Sequence, residues 1–320
     1  MPLTPLASLT FDDVVRAADV VARHLPPTPV WSYPMLDRRA GTHVVVKHEN
    51  VQPTGAFKVR GGVHLAATLS ATELRAGLVT ASTGNHAQSV AWAARLRSTT
   101  ATVVVPRGTH DRRVAAIEGL GAGVVRYGDD LAQAMAHAHR LADDHGLRFV
   151  DPGNDPAIVL GHATAYLELF RQEPDLDVVL VPVGSGTGAA GACLVRDALA
   201  PACRVVGVQS AAAPAAYLSW RSGELTSAPC STRAAGLATC AGYDLPQRIL
   251  RSRLDDFRLV SDEQIGDAIR VLATDAHTLS EGAGAAALAA LLADPAPPAR
   301  CAVVVTGGNA SDDELRALAG

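Results

Sequence analysis

The chain has 320 residues, 48% of them hydrophobic and 19% charged, with a net charge of −4 at pH 7. That balance supports a packed core and excludes intrinsic disorder, and a weakly acidic chain has no electrostatic grip on nucleic acid or an anionic membrane. No run reaches the roughly 18 apolar residues of a spanning helix, so small-molecule chemistry on one large or two medium domains is the expectation.

Met1-Pro2-Leu3-Thr4-Pro5 lacks a basic stretch followed by a long apolar run, which predicts a cytoplasmic protein. Thr10 with Asp13 reads as a helix N-cap, and Val14, Val15, Ala18, Val21 and Leu25 continue one amphipathic helix to about Leu25, before Pro26 and Pro27. The run 43–47 reads as a strand with Lys47 at its end. Helices near 57–69, 85–97, 111–118 and 129–145 then alternate with strands at 78–81, 101–105, 123–126 and 148–150. The alternation resumes with a helix near 157–171, a strand at 178–181, a glycine loop, a helix near 188–199 and a strand at 204–208. Residues 211–258 read as irregular with short helical pieces; helices near 261–274 and 283–293 and a strand at 301–305 follow. Short apolar strands separated by helices predict an α/β architecture with parallel sheets.

Only Lys47 and Lys58 are lysines; every other one of the 28 basic residues is arginine. Arginine stays protonated, whereas a desolvated lysine amine loses its proton and attacks carbonyls, so a Schiff-base role explains the retention of lysine; a compositional leftover is the alternative. Pro53-Thr54-Gly55 is a turn, and the helix opened by Ala56-Phe57-Lys58-Val59-Arg60 carries Lys58 in its first turn. A helix N-terminus disfavours an ammonium there and suits a bound anion.

Three strands run directly into polar, glycine-rich loops, and loops at strand carboxyl ends converge on ligands in open parallel sheets. The first is Ser82-Thr83-Gly84-Asn85-His86, which on spacing alone reads as an ordinary strand-turn-helix cap by Ser82 or Thr83. The second, Gly184-Ser185-Gly186-Thr187-Gly188, offers bare N–H groups and two hydroxyls to a phosphate, without the lysine of a nucleotide loop. Thr306-Gly307-Gly308-Asn309 is the third, and Ser280-Glu281-Gly282 places an acid at another helix start. Five cysteines (Cys193, Cys203, Cys230, Cys240 and Cys301) at scattered spacings read as reduced packing residues rather than a disulfide framework or zinc site.

The segment Lys47-His48-Glu49-Asn50-Val51-Gln52-Pro53-Thr54-Gly55-Ala56-Phe57-Lys58-Val59-Arg60-Gly61, together with these loops in this order, resembles the fold-type II pyridoxal-phosphate (PLP) enzymes, and among them the threonine/serine dehydratase and serine racemase group. Thr28-Pro29 and Gly161-His162-Ala163-Thr164 are similar to weaker landmarks of the family. The resemblance implies a tryptophan synthase β-like α/β fold of two domains, each with a mainly parallel twisted sheet flanked by helices: 1–52 with 152–320 as the large PLP-binding domain and 53–151 as a small closing domain. It implies PLP bound through Lys58, with Phe57, Asn85, Gly184, Ser185, Gly186, Thr187, Gly188, Glu281 and Thr306 around the cofactor. Ser82, Thr83, Asn85 and His86 would take the substrate carboxylate, with Lys58 and Thr83 as catalytic groups.

The implied activity is an ammonia-lyase reaction on a β-hydroxy amino acid such as L-threonine or L-serine, in a homodimer. The alternatives are β-replacement, racemisation, or the hydroxyectoine-utilisation dehydratase branch, which the segments Gly236-Leu237-Ala238-Thr239 and Leu245-Pro246-Gln247-Arg248-Ile249-Leu250 resemble. Ala56 departs from the family's usual Ser. Gln209-Ser210-Ala211-Ala212-Ala213 lacks the acids of the metal-activated members, so no Mg²⁺ or Ca²⁺ is expected. No C-terminal regulatory domain is expected after Gly320.

Overall fold

The computed structural model describes residues 9–318, so the reading of Met1-Pro2-Leu3-Thr4-Pro5 lies outside the described residues. The structure contains two sheets. The larger is built from β1 (Val30–Ser32), β2 (His43–His48), β7 (Val178–Pro182), β8 (Arg204–Ser210), β9 (Asp256–Val260) and β10 (Arg300–Val305), in the order β1-β2-β10-β7-β8-β9. All its neighbours pair in parallel except β1 with β2. The smaller contains β3 (Leu78–Ala81), β4 (Ala101–Val105), β5 (Gly123–Arg126) and β6 (Arg148–Phe149), in the parallel order β5-β4-β3-β6.

Period-two burial assigns each strand's side chains to two faces. On the large sheet, Val45, Val179, Val181, Val205, Ala302 and Val304 share a core with α1 (Phe11–Val21), α8 (Pro156–Gln172) and α9 (Thr187–Leu199). Their neighbours Val44, Val46, Leu180, Val206, Val208, Val303 and Val305 face α2 (Pro34–Ala40), α12 (Asp262–Asp275) and α13 (Gly282–Leu292). The small sheet is covered on one side by α3 (Lys58–Thr68), α5 (Asn85–Leu96) and α6 (Asp111–Glu118), and on the other by α7 (Leu131–His145). Helix α13 is Gly, Ala and Leu throughout and buried on every side along 282–291, where small side chains let it approach the sheet closely.

Most expected elements form within a residue or two of their expected bounds. Thr10 caps α1 reciprocally, its Oγ1 accepting from Asp13 N while Asp13 Oδ2 accepts from Thr10 N at 2.9 Å. That helix ends at Val21 rather than Leu25: the chain tightens into a turn ahead of the prolines, yet Leu25 stays buried. Residues 211–258 hold more order than their composition signals, with α10 (Ala215–Ser222), α11 (Asp244–Arg253) and β9 at the sheet edge. The helices α2, α4 (Ala71–Ala76) and α14 (Asp312–Leu318) are too short to show a clear period.

A buried ion network joins β2, α3 and α8. Arg60, fully buried, donates to Glu49 through Nε (2.7 Å) and Nη2 (2.8 Å), and to Glu168 through Nη1 and Nη2, both at 2.7 Å. Lys47 Nζ donates to Glu168 Oε2 at 2.8 Å and to the Thr28 carbonyl at 3.1 Å, and Thr28 Oγ1 donates to Glu49 at 2.6 Å. Two cations therefore face two carboxylates. The surrounding cations hold the Glu49 carboxyl below its ordinary range despite burial. Lys47 is thus a member of a structural network and not a free amine. Removing one member strands the others: Arg60→Met should cost about 3–5 kcal/mol of stability in urea unfolding, and a loss under about 1 kcal/mol would show that the carboxylates find water or protons instead.

Candidate active site

The strand order brings the expected loops together. Strand β10 lies between β2 and β7, so the segments leaving β2 (the lysine segment), β10 (Thr306 onward) and β7 (Gly184 onward) emerge side by side at the carboxyl edge. The lysine segment is fastened to the β10 loop: Phe57 N donates to Thr306 O at 2.9 Å, Gly308 N to Gly55 O at 2.8 Å, and Ala56 bridges Gly307. A Cβ on Gly55, which has φ +70°, would lie 2.5 Å from Asn309 Oδ1, so this crossing requires glycine.

Lys58 is the first residue of α3. Its half-buried side chain places Nζ 3.2 Å from Thr187 Oγ1 and 5.0 Å from the Phe57 ring centroid. Burial pushes its amine down to about 8, so near neutrality a usable fraction is unprotonated. Thr187 opens α9 behind Gly186, whose φ is +90°. The first backbone acceptor of that helix, Gly186 O, is taken by Ala190 N at 2.9 Å. Among the described residues the N–H groups of Thr187, Gly188 and Ala189 have no backbone acceptor, and they form a nest for an anion. A Cβ on Gly184 would meet Gly236 O at 2.3 Å, and one on Gly188 would crowd Tyr166 and Phe57. Ser185 Oγ lies 3.3 Å from Thr187 Oγ1.

Opposite stands the start of α5. Of the two sequence alternatives for this loop, an ordinary cap by Ser82 or Thr83 does not form: Gly84 is the N-cap, with no side-chain cap. Ser82 Oγ accepts from Gly84 N at 3.3 Å, which bends the loop and leaves the first N–H groups of α5 open. Thr83 makes no side-chain hydrogen bond among the described residues and is half-buried. His86 is buried, its Nε2 3.1 Å from Thr80 Oγ1, its Nδ1 without a partner, and its pKa pushed down to about 4, first by burial and then by Lys58.

Asn85 is clamped at both ends. Its Nδ2 donates to Glu281 Oε1 at 2.6 Å and its Oδ1 accepts from Asn309 Nδ2 at 2.8 Å, while Asn309 also donates to Thr54 O at 2.8 Å. Asn309 was quoted in its loop but given no role; its place opposite Asn85 has no signature in spacing. A Cβ on Gly307 would come within 2.3 Å of Glu281 Oε1. The Thr306 hydroxyl makes no hydrogen bond among the described residues, although the residue is buried. Three cysteines, Cys193, Cys203 and Cys301, are buried as expected of packing residues; Cys240 is exposed and Cys230 half-buried, correcting that reading for the irregular segment, and all five are free. Gln209 Oε1 accepts from Tyr217 N at 3.0 Å.

A protein-family model described as pyridoxal-phosphate dependent enzyme matches residues 21–307. The chain belongs to this family. It is 34% identical over 303 residues to the L-threonine ammonia-lyase of Thermotoga maritima, covering 94% of this chain and 76% of that protein. With the catabolic L-threonine dehydratase TdcB of Escherichia coli it shares 33% identity over 293 residues, 91% of this chain and 89% of the relative. Among solved structures, maize serine racemase superposes with a TM-score of 0.92 at 28% identity, covering 97% of this chain and 96% of that one.

The residues present fit the family's cofactor. The nest ahead of α9, where Gly184 excludes a Cβ and Gly188 leaves little room for one, matches a phosphate; the lowered Lys58 amine matches an aldehyde; and Thr306 offers a neutral hydroxyl to a pyridine nitrogen. Within this wall Glu281 is the group most sensitive to pH. Burial raises its carboxyl to about 7, against the opposing hydrogen bond from Asn85. A raised carboxyl stabilises the fold fully below its unfolded value of 4.5, and that contribution disappears as pH rises through about 7. Urea midpoints of the cofactor-stripped protein should therefore fall between about pH 5 and pH 8 more steeply in wild type than in Glu281→Gln; parallel profiles would show that Glu281 titrates normally.

Proposed function

We propose that the protein is an ammonia-lyase that converts a β-hydroxy amino acid, L-threonine or L-serine, to a 2-keto acid and ammonia. The observation that carries this reading is the Lys58 amine, lowered to about 8 and held beside the anion nest at α9. Two relatives with threonine ammonia-lyase or dehydratase activity in their names, each at least 33% identical, support the substrate class.

When bound, PLP supplies an aldehyde that condenses with amines and a ring that delocalises charge arising at the substrate's Cα. Lys58 would be the residue that holds the cofactor's aldehyde, and its Nζ, kept beside Thr187 Oγ1, would serve as the base for the substrate's Cα proton. Gly184, Ser185, Gly186, Thr187 and Gly188 hold the phosphate, chiefly through backbone N–H groups, and Phe57 closes the base of the pocket. Open N–H groups at the start of α5, with Ser82, Thr83, Asn85 and His86 around them, bind the substrate carboxylate and keep the Cα–H bond aimed at Lys58. Asn85, clamped by Glu281 and Asn309, faces the ring. Thr306 gives the ring nitrogen a hydroxyl partner, which holds it less protonated than a carboxylate would and favours loss of the β-substituent. The equivalent of the proton taken up by Lys58 would pass through a bound water to the β-hydroxyl, which would leave as water; the released enamine would consume one water on hydrolysis to keto acid and ammonia.

In this reading the large-sheet part, 1–52 and 152–320, carries the cofactor and 53–151 closes over the substrate. We further read the protein as a cytoplasmic homodimer; its five free thiols fit a reducing compartment. No helix among the described residues is long and apolar enough to cross a membrane.

Racemisation is the second reading, favoured by the half-buried Thr83 hydroxyl, which makes no hydrogen bond among the described residues. Incubation with L-serine and L-threonine, with keto-acid assay and chiral analysis of the remaining amino acid, separates the two. Release of keto acid that is lost by at least about a thousandfold in Lys58→Ala supports the lyase; D-serine accumulating without keto acid would overturn it. Thr83→Ala should suppress any L-to-D conversion more than it slows elimination, so that the ratio of D-serine to keto acid formed from L-serine falls at least about tenfold.

A further inference from the structure

One buried titratable group beside Lys58 has no part in the chemistry above. His162, on α8, is fully buried and packs on Phe57 with ring centroids 4.6 Å apart. Its Nδ1 lies 3.0 Å from Thr187 Oγ1, and its Nε2 lies 3.4 Å from the carbonyl oxygen of Lys58. A Cβ on Gly61 would come within 2.6 Å of Nε2, so the glycine makes room for the ring. Thr187 Oγ1 in turn stands 3.2 Å from Lys58 Nζ. The contacts form a closed circuit that leaves Lys58 by its backbone and returns to it at the amine.

We infer that His162 is a positioning residue that fixes the direction of the Thr187 hydroxyl proton and thereby leaves the lone pair of the Lys58 amine free to react. The imidazole is neutral: burial first, then the charges of Lys58, His86 and Arg60, push its pKa well below the ordinary value. A neutral imidazole carries one N–H. Nε2 faces a carbonyl oxygen, which only accepts, so the hydrogen sits on Nε2 and Nδ1 is the acceptor. The single Thr187 hydroxyl proton then goes to Nδ1. With that proton committed, Thr187 can only accept, from Lys58 Nζ and from Ser185 Oγ at 3.3 Å. Were the tautomer reversed, Thr187 would be free to donate onto the amine and occupy the electron pair needed to attack an aldehyde or take a proton.

This inference rests on Lys58 being the cofactor-binding lysine, and the test separates the two. In the cofactor-loaded, full-length protein labelled with ¹⁵N-histidine, His162 should show a protonated Nε2 and an unprotonated Nδ1, assigned by its shift in Thr187→Val; a proton on Nδ1 overturns the inference. The second measurement is the rate at which the full-length, cofactor-stripped protein captures added pyridoxal phosphate. His162→Leu should slow capture about tenfold and His162→Asn, which returns an acceptor near the place of Nδ1, should restore it to within about threefold. An unaltered rate in a folded His162→Leu protein, with borohydride reduction fixing the cofactor on Lys58, overturns the inference alone. Cofactor fixed on another residue in wild type would overturn the Lys58 reading itself. The tautomer measurement needs no variant at position 162 and decides the matter even where His162→Leu fails to fold.

Discussion

The position of Lys58 depends on a set of charges it never touches. Arg60 lies two residues beyond Lys58 on α3, and its guanidinium spans Glu49 after β2 and Glu168 on α8 while Lys47 neutralises the remainder. A planar, always-charged fork suits two carboxylates at once in a way that an ammonium cannot. Because Lys47, Glu49 and Arg60 are taken out of water and Glu168 is largely so, the arrangement contributes little as net energy but heavily penalises any geometry in which one partner moves away. The first turn of α3 therefore has one position relative to β2 and α8, and Lys58 inherits it. Only Lys47 and Lys58 are lysines, and they divide the work: one is locked in the network, the other stands free at the cleft.

Above that anchor, strand order does most of the assembly. Placing β10 between β2 and β7 makes neighbours of three loops that are more than a hundred residues apart in the chain. Glycine then lets them approach. At Gly55, Gly184 and Gly307 a methyl group would strike an oxygen at 2.5 Å or less, so these positions exclude every side chain. The polar result is a wall in which Asn85 is held from both sides, with Thr306 and Thr83 left unengaged. Side chains that are already partnered orient; those left open meet the ligand.

Legibility in the sequence followed the physics of each feature. Alternating apolar strands and helices with caps such as Thr10 are local patterns, and they appeared where expected. Edge strand β9 was missed because Asp256-Phe257-Arg258-Leu259-Val260 sits amid turn residues and interrupts its apolar run with charge. At Gly84 the alternatives stay open in the sequence because Ser82 and Thr83 are good caps by type, and only the fold shows that this helix start is kept open. The pairing of Asn309 with Asn85, of Glu168 with Arg60 and of His162 with Thr187 is separated by 224, 108 and 25 residues, beyond the reach of spacing.

By itself, the sequence determined the parallel α/β class and the places where strands run into glycine-rich loops, because turns and periodicity are properties of contiguous residues. Tertiary structure decided which polar groups are committed and which remain open, since a hydrogen bond's availability depends on what distant strands bring within 3 Å or so. Glu281 illustrates the division: its residue type and its place at a helix start are legible in the chain, but only burial beside Asn85 and Gly307 makes its carboxyl titrate near 7.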